Sequence, residues 1–101
     1  MAEMVLLPIR ALVEAHREEI KAIVARHNGR GVAIFGSVAR GDETTSSDVD
    51  FLVDFDRGSS LFDVMHVEDD LVELLGRRID VISLGALKPR DDEIRRDAIW
   101  L

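Results

Sequence analysis

The first third of the chain carries a helical hydrophobic pattern. Over residues 9–27, apolar or amphipathic residues recur with the spacing of one stripe on a helix: Ile9, Leu12, Val13, His16, Ile20, Ile23, Val24 and His27. Pro8 suits the first turn, and Asn28 with Gly29 supplies a residue pair able to adopt the left-handed conformation that ends a helix. The pattern therefore predicts one amphipathic helix over residues 9–27.

Two strands are predicted in the middle of the chain. Residues 31–35 form an almost continuous apolar run closed by Gly36, which is typical of a strand covered on both faces. Residues 48–55 alternate, so one face carries Val49, Phe51, Val53 and Phe55 and the other carries Asp48, Asp50, Leu52 and Asp54. The second strand therefore has one face rich in carboxylates.

The second half predicts a helix, a strand and a further helix. Ser60, followed three residues later by Asp63, resembles a capping box, and Gly76 supplies a helix stop. The apolar side of this helix is predicted from Leu61, Val64, Met65, Leu71, Val72 and Leu75. Residues 79–83 read as a third strand, and Pro89 breaks the chain before a last helix from about residue 91. We expect an α/β (α+β) fold, with one sheet and helices packed against it, in a single domain over residues 1–101.

Composition narrows the classes of function. The formal net charge of −7 would repel a polyanion, so direct binding of nucleic acid is disfavoured, whereas divalent cations would be favoured. The chain has no cysteine, which excludes disulfides, thiolate zinc sites and thiol nucleophiles. The first ten residues have neither a basic start nor a sustained apolar stretch, and no later segment is long enough to span a membrane. We expect a cytoplasmic protein without a membrane partner.

A tight turn and a carboxylate pair carry the most specific chemistry. Gly36 after the first strand allows a sharp turn and close approach to a ligand, while Ser37 and the following amides can donate to phosphate oxygens. Arg40 either adds a phosphate contact or pairs with a nearby acid. Asp48 and Asp50, two apart on a strand, leave the same face about 6.5 Å apart along the chain. Such carboxylates suit Mg²⁺, including a pair of bridged ions.

Asp80 is the third candidate carboxylate. It lies within the apolar strand over residues 79–83, where an unpaired carboxylate would be costly without a metal ion or hydrogen bonds. Beside the other two acids it could accept the proton of an acceptor hydroxyl, whose oxygen would then attack the α-phosphorus of a nucleotide.

At these residues the chain resembles the minimal nucleotidyltransferase family of the DNA polymerase β-like superfamily. The family signature is Gly-Ser, ten residues, then Asp-x-Asp, which Gly36-Ser37 and Asp48-Val49-Asp50 fit. Asp80 fits the place of the family's third carboxylate on a later strand. The resemblance spans about residues 20–100 and implies the nucleotidyltransferase fold, with a small mixed sheet.

The resemblance also implies roles and partners. Ser37, with Gly36 and Arg40, would contact the triphosphate of ATP, and Asp48, Asp50 and Asp80 would hold two Mg²⁺ ions. Small members of this family commonly serve as antitoxins for a HEPN-type toxin ribonuclease, which some inactivate by transferring AMP to a tyrosine. Larger relatives carry an extra helical part that helps hold the acceptor, so here a partner protein, in a hetero-complex or a homo-oligomer, would complete the site.

Other readings stay open beside this one. A contact-only antitoxin would neutralise its partner without catalysis, and a small-molecule nucleotidyltransferase would need no protein partner. The histidines share no ligand spacing, so none is assigned to catalysis. Asp42, Asp54 and Asp56 lie toward turns and are left as surface residues. The stripe over residues 61–75 and Trp100 are expected to pack in the core rather than form a docking surface.

Overall fold

The computed structural model describes residues 8–44 and 46–101 as helices packed around a four-stranded sheet. The strands are β1 (Gly29–Phe35), β2 (Val49–Phe55), β3 (Ile79–Ser83) and β4 (Ile99–Trp100), in the order β3-β2-β1-β4. β1 is antiparallel to β2 and β4, whereas β2 and β3 run parallel. The expected mixed sheet is confirmed. Residues 1–7, whose composition argued against an export signal, lie outside the described residues.

The helices are α1 (Ile9–Ala15), α2 (Arg17–Arg26), α3 (Gly36–Arg40), α4 (Leu61–Leu75) and α5 (Asp92–Asp97). Single 3₁₀ turns at Leu84–Ala86 and Pro89–Asp91 connect β3 to α5. The predicted strand over residues 79–83 and the Ser60 start of α4 are confirmed, the latter with both capping-box hydrogen bonds. Within the described residues, 8–44 and 46–101, no helix is long and apolar enough to cross a membrane.

The prediction of one continuous helix over residues 9–27 is wrong. The chain leaves helical geometry at His16, whose backbone has φ −108° and ψ 18°, and α2 begins at the next residue. The hydrophobic stripe nevertheless continues across the break, since Val13 and Ile20 are both fully buried. Periodicity reports which face is buried and cannot detect a break that keeps the face in register. The predicted left-handed stop lies at Asn28, which has φ 65°.

Two short elements, α3 and β4, were not predicted from the sequence. The stretch after β1 is not only a turn, because Gly36–Arg40 forms the single helical turn α3. β4 also went unpredicted, since two residues are too few for an alternation pattern. It forms because Ala33 and Ile34 of β1 pair with Trp100 and Ile99.

The sheet buries apolar side chains on both faces. On one face Val32, Ile34, Phe51 and Val53 pack with the buried residues of α1, α2 and α4. On the other face Ala33, Phe35 and Leu52 pack beneath partly buried residues of β3 and of the segment that follows it: Ile82, Leu84, Leu87, Ile94 and Ala98. Double coverage explains why the predicted continuous apolar run of β1 has four consecutive buried residues.

α4 is rotated relative to the predicted apolar side. Its buried residues are Val67, Leu71 and Leu75. Leu61 and Met65, predicted for the core, are 73% and 50% exposed, and Val72 is 41% exposed. The helix has more apolar residues than one face can hold, so the expectation that the whole stripe over residues 61–75 is core is wrong. Trp100, also expected in the core, is 47% exposed.

The rotation of α4 predicts opposite outcomes for neighbouring residues. Leu71→Ala should lower the free energy of unfolding by about 2–5 kcal/mol, because it leaves a cavity at a fully buried position. Val72→Ala should change it by less than about 1 kcal/mol, because the side chain is largely exposed. Urea denaturation followed by circular dichroism would measure both, and equal losses would contradict this placement of the helix.

Candidate active site

Parallel pairing of two strands brings the predicted carboxylates together. The register of β2 with β3 places Asp50 directly beside Asp80, and the charge of Asp80 acts on the Asp50 carboxyl. Asp48 lies just before β2 and is close enough for its charge to act on Asp50. The amide of Val49 donates to the carbonyl of Arg78 at 3.0 Å, which fixes the start of the register. The three acids are therefore neighbours although thirty residues separate Asp50 from Asp80.

Gly36 forms the surface against which Asp50 lies. Its φ is +71°, a left-handed conformation that side chains disfavour. A Cβ atom added at Gly36 would overlap Oδ2 of Asp50. The glycine is thus required twice, by the turn from β1 into α3 and by the close approach of the carboxylate.

The electrostatics of the three acids oppose full ionisation. Partial burial, followed by the negative charges of Asp80 and Asp48, raises the pKa of Asp50 from 3.8 to about 6. Arg40 acts in the opposite direction but does not compensate. The site therefore holds excess negative charge, which a proton or a cation would offset.

A divalent cation fits this donor set, because hard oxygen ligands and uncompensated negative charge are what Mg²⁺ selects. Across residues 8–44 and 46–101 no group of three or more acidic, histidine or cysteine side chains already has metal-binding geometry. Asp50 and Asp80 are neighbours on the paired strands, so a cation held between β2 and β3 would offset the negative charge that raises the pKa of Asp50.

Asp80 itself is exposed, so the expectation that its strand would bury it is wrong. β3 is an edge strand, and its second residue faces solvent rather than a covering layer. Asp80 instead borders a groove of about 670 Å³ together with Asp48, Glu68, Val72, Arg77 and Arg78. The groove gives a substrate direct access to two of the three acids.

The other predicted contacts lie on α3. Ser37 is the second residue of this turn and is partly buried, and its carbonyl accepts from the amide of Asp42 at 3.1 Å. Of the two alternatives expected for Arg40, the structure shows pairing with acids. Its Nη1 donates to Asp97 at 3.0 Å and its Nε donates to Asp42 at 3.3 Å. A phosphate contact by Arg40 would therefore have to displace carboxylates.

Two further residues were not singled out from the sequence. Arg77 borders the groove, and its Nη2 donates to the carbonyl of Ser47, immediately before Asp48, at 3.5 Å. Glu43, in the loop between α3 and β2, has Oε2 buried with no hydrogen-bond partner among the described residues. The position of Arg77 after the Gly76 helix stop and just before β3 could have flagged it, whereas nothing in the sequence marks Glu43.

Residues 14–99 match the family model of the nucleotidyltransferase domain. The chain belongs to this family. The resemblance seen in Gly36-Ser37 and the Asp48 to Asp50 pair is thereby confirmed at the level of the family, and the four-stranded sheet is the sheet of a nucleotidyltransferase fold.

Named relatives refine the comparison. This nucleotidyltransferase is 38% identical over 88 residues to the protein adenylyltransferase MntA of Thermococcus cleftensis, covering 87% of this chain and 86% of the relative. A solved structure described as a candidate minimal nucleotidyltransferase has a TM-score of 0.82 at 40% identity, covering 91% of this chain and 95% of that one. A toxin–antitoxin crystal structure with AMP-PNP has a TM-score of 0.67 at 17% identity, covering 82% and 70%, and this likeness shows the fold.

The packing of Gly36 against Asp50 predicts a specific effect of one methyl group. Gly36→Ala should lower the free energy of unfolding and displace the Asp50 carboxylate, because the new Cβ meets that side chain. Gly41→Ala is the matched control: it also has a positive φ of 79°, but nothing lies within 4 Å of an added Cβ. We expect both variants to lose about 1 kcal/mol to backbone strain.

We expect Mg²⁺ to raise the melting temperature of the parent chain and of Gly41→Ala but not that of Gly36→Ala, measured by calorimetry with and without the ion. A normal Mg²⁺ response in Gly36→Ala would contradict the placement of Asp50 against the glycine.

The raised pKa of Asp50 predicts a stabilising substitution. The folded chain binds a proton at Asp50 more readily than the unfolded chain, so stability falls as pH rises from about 4 through 6. In EDTA at pH 7, Asp50→Asn should therefore raise the free energy of unfolding by about 1 kcal/mol, allowing for solvent screening of this partly exposed group.

The gain should shrink as pH falls through 6 and vanish only below the unfolded pKa of 3.8, where the wild-type carboxyl becomes protonated in both states. Asp69→Asn, at an exposed position on α4, should show neither effect. Thermal unfolding across this pH range would measure the difference, and destabilisation of Asp50→Asn at pH 7 would contradict it.

Proposed function

We propose that this protein transfers AMP from ATP to a tyrosine hydroxyl on a HEPN-type toxin, and that it acts in the cytoplasm as the antitoxin of that pair. The observation that carries the proposal is the Asp50–Asp80 pair, held in register by two parallel strands beside Asp48 and the glycine turn. Membership of the nucleotidyltransferase family supplies the class of reaction.

In this account each part of the site has a separate task. The amides of the turn at Gly36 and the Ser37 hydroxyl bind the triphosphate. Asp80, exposed at the groove, accepts the proton of the incoming hydroxyl. The hydroxyl oxygen forms a bond to the α-phosphorus, and the bond from that phosphorus to the pyrophosphate oxygen breaks. The products are AMP joined to the acceptor and free pyrophosphate.

Asp48, Asp50 and Asp80 would hold two Mg²⁺ ions. When bound, such ions polarise the α-phosphate and offset the charge of attacking and leaving oxygens. The raised pKa of Asp50 supports this role, because a bound cation would offset the burial and the charge repulsion that raise it.

A protein acceptor is favoured by the relatives and by the groove. MntA of Thermococcus cleftensis is named a protein adenylyltransferase, and the AMP-PNP structure is described as a toxin–antitoxin. The groove beside Asp48 and Asp80 lies at the edge of the sheet, next to the exposed side of α4, where a large acceptor has access.

A contact-only antitoxin is the second candidate. Two observations favour it: Arg40 is engaged by Asp42 and Asp97, and no three-ligand metal arrangement is preformed among the described residues. In that case the carboxylates would not be needed for neutralisation of the partner.

Transfer of radioactive label from the α-phosphate of ATP to the purified HEPN-type partner distinguishes the two candidates. Asp48→Asn should reduce labelling by roughly 100-fold or more while the fold is kept, because the charge is lost and the shape retained. Asp56→Asn is the matched control, since this exposed carboxylate pairs with Arg30 outside the site.

Parent-level labelling by Asp48→Asn would overturn the assignment of that carboxylate. Neutralisation of the toxin without any labelling, by both the parent chain and Asp48→Asn, would establish the contact-only function instead.

A further inference from the structure

A second apolar face of α4 lies on the surface. Leu61, Met65 and Val72 recur along the helix at spacings that place them on one side, beside the face that buries Val67, Leu71 and Leu75. Phe62, 68% exposed, flanks the start of this side. We call Leu61, Phe62, Met65 and Val72 the α4 stripe. Ordinary solvated helices do not carry four large apolar side chains in so short a length, and such patches mark interaction surfaces.

The α4 stripe runs directly into the groove of the active site. Val72 belongs to both, because it borders the groove with Asp48 and Asp80. From Val72 to Leu61 the helix rises by about 16 Å, so the stripe leads away from the carboxylates along one straight path. A protein lying on this path would have part of its surface at the acids and the rest on the helix.

The charges of α4 specify the chemistry of the occupant. The helix contains five carboxylates and no lysine or arginine. Asp63 and Asp70 are engaged by other parts of this chain, which leaves Glu68, Asp69 and Glu73. Asp69 and Glu73 are exposed beside the stripe. A second copy of this chain would bring the same acidic helix against itself and is disfavoured by repulsion. A partner with an apolar surface bordered by lysine or arginine is complementary.

We propose that the α4 stripe is the docking surface for the acceptor protein, which binds through an apolar patch bordered by basic residues and thereby presents its hydroxyl at the Asp48–Asp80 groove. The inference rests on the proposed function for the identity of the acceptor. It assigns to α4 the task of holding the acceptor.

Glutamine substitutions in the stripe test the proposal while preserving helix propensity. The variant Phe62→Gln with Met65→Gln changes exposed side chains only, so its unfolding transition should match the parent. Trp100→Gln is the matched control, because Trp100 is another exposed apolar side chain but lies on β4, at the opposite edge of the sheet from β3. Calorimetry with the purified HEPN-type partner measures docking, and calorimetry with ATP and Mg²⁺ measures the nucleotide site separately.

We expect the double variant to bind the partner at least about tenfold more weakly and to label it correspondingly less, with nucleotide binding unchanged. Trp100→Gln should bind and label like the parent. Docking to the parent should also weaken as salt rises, because the acidic border of the stripe attracts basic residues.

Each other outcome either overturns the inference or separates it from the proposed function. Parent-like docking by the double variant, or loss only in Trp100→Gln, places the docking surface elsewhere and leaves the transferase proposal intact. Docking lost in the double variant, in a system where the parent transfers no AMP, retains the surface and rejects the transferase. Dissociation of a parent dimer by the double variant, without loss of partner binding, makes a second copy the occupant.

Discussion

Repulsion between carboxylates held on adjacent strands is the constraint around which this structure is arranged. The parallel register of β2 and β3 places Asp50 beside Asp80. Because backbone pairing sets this register, the two carboxylates stay adjacent although their charges repel each other. Burial of the two sheet faces stabilises the strands sufficiently to hold the acids there. Such a cost is characteristic of functional sites, where an arrangement unfavourable for folding alone is retained for the ligand it receives.

Small residues and short elements complete the arrangement. Gly36 lets the chain turn from β1 into α3 while the Asp50 carboxylate occupies the space of a side chain. Arg40, at the end of α3, donates to Asp97 at the end of α5. This ion pair links the turn that carries Ser37 to the C-terminal part of the chain. The β2–β3 pair, the turn and α5 thus form one unit, and α4 borders it through the groove.

Sequence reasoning predicted those features of the fold that depend on repeating patterns. The alternation over residues 48–55 predicted β2 and its acidic side, and the capping box of Ser60 and Asp63 predicted the start of α4. It failed where tertiary context decides: the break at His16, the two-residue strand β4 and the exposed face of α4 leave no local signal. Asp80 was singled out because its apolar strand was expected to bury it, but it is exposed. Its position beside Asp50 follows instead from the strand register.

The central claim is that Asp48, Asp50 and Asp80 form a metal-dependent nucleotide site. Its most direct test is calorimetric titration of Mg²⁺ into the chain saturated with a non-hydrolysable ATP analogue, at pH 7, for the parent and for Asp50→Asn. The account predicts saturable binding of the ion by the parent and loss of that binding in the variant. Equal binding of Mg²⁺ by the two chains, or nucleotide binding indifferent to the ion, would contradict it.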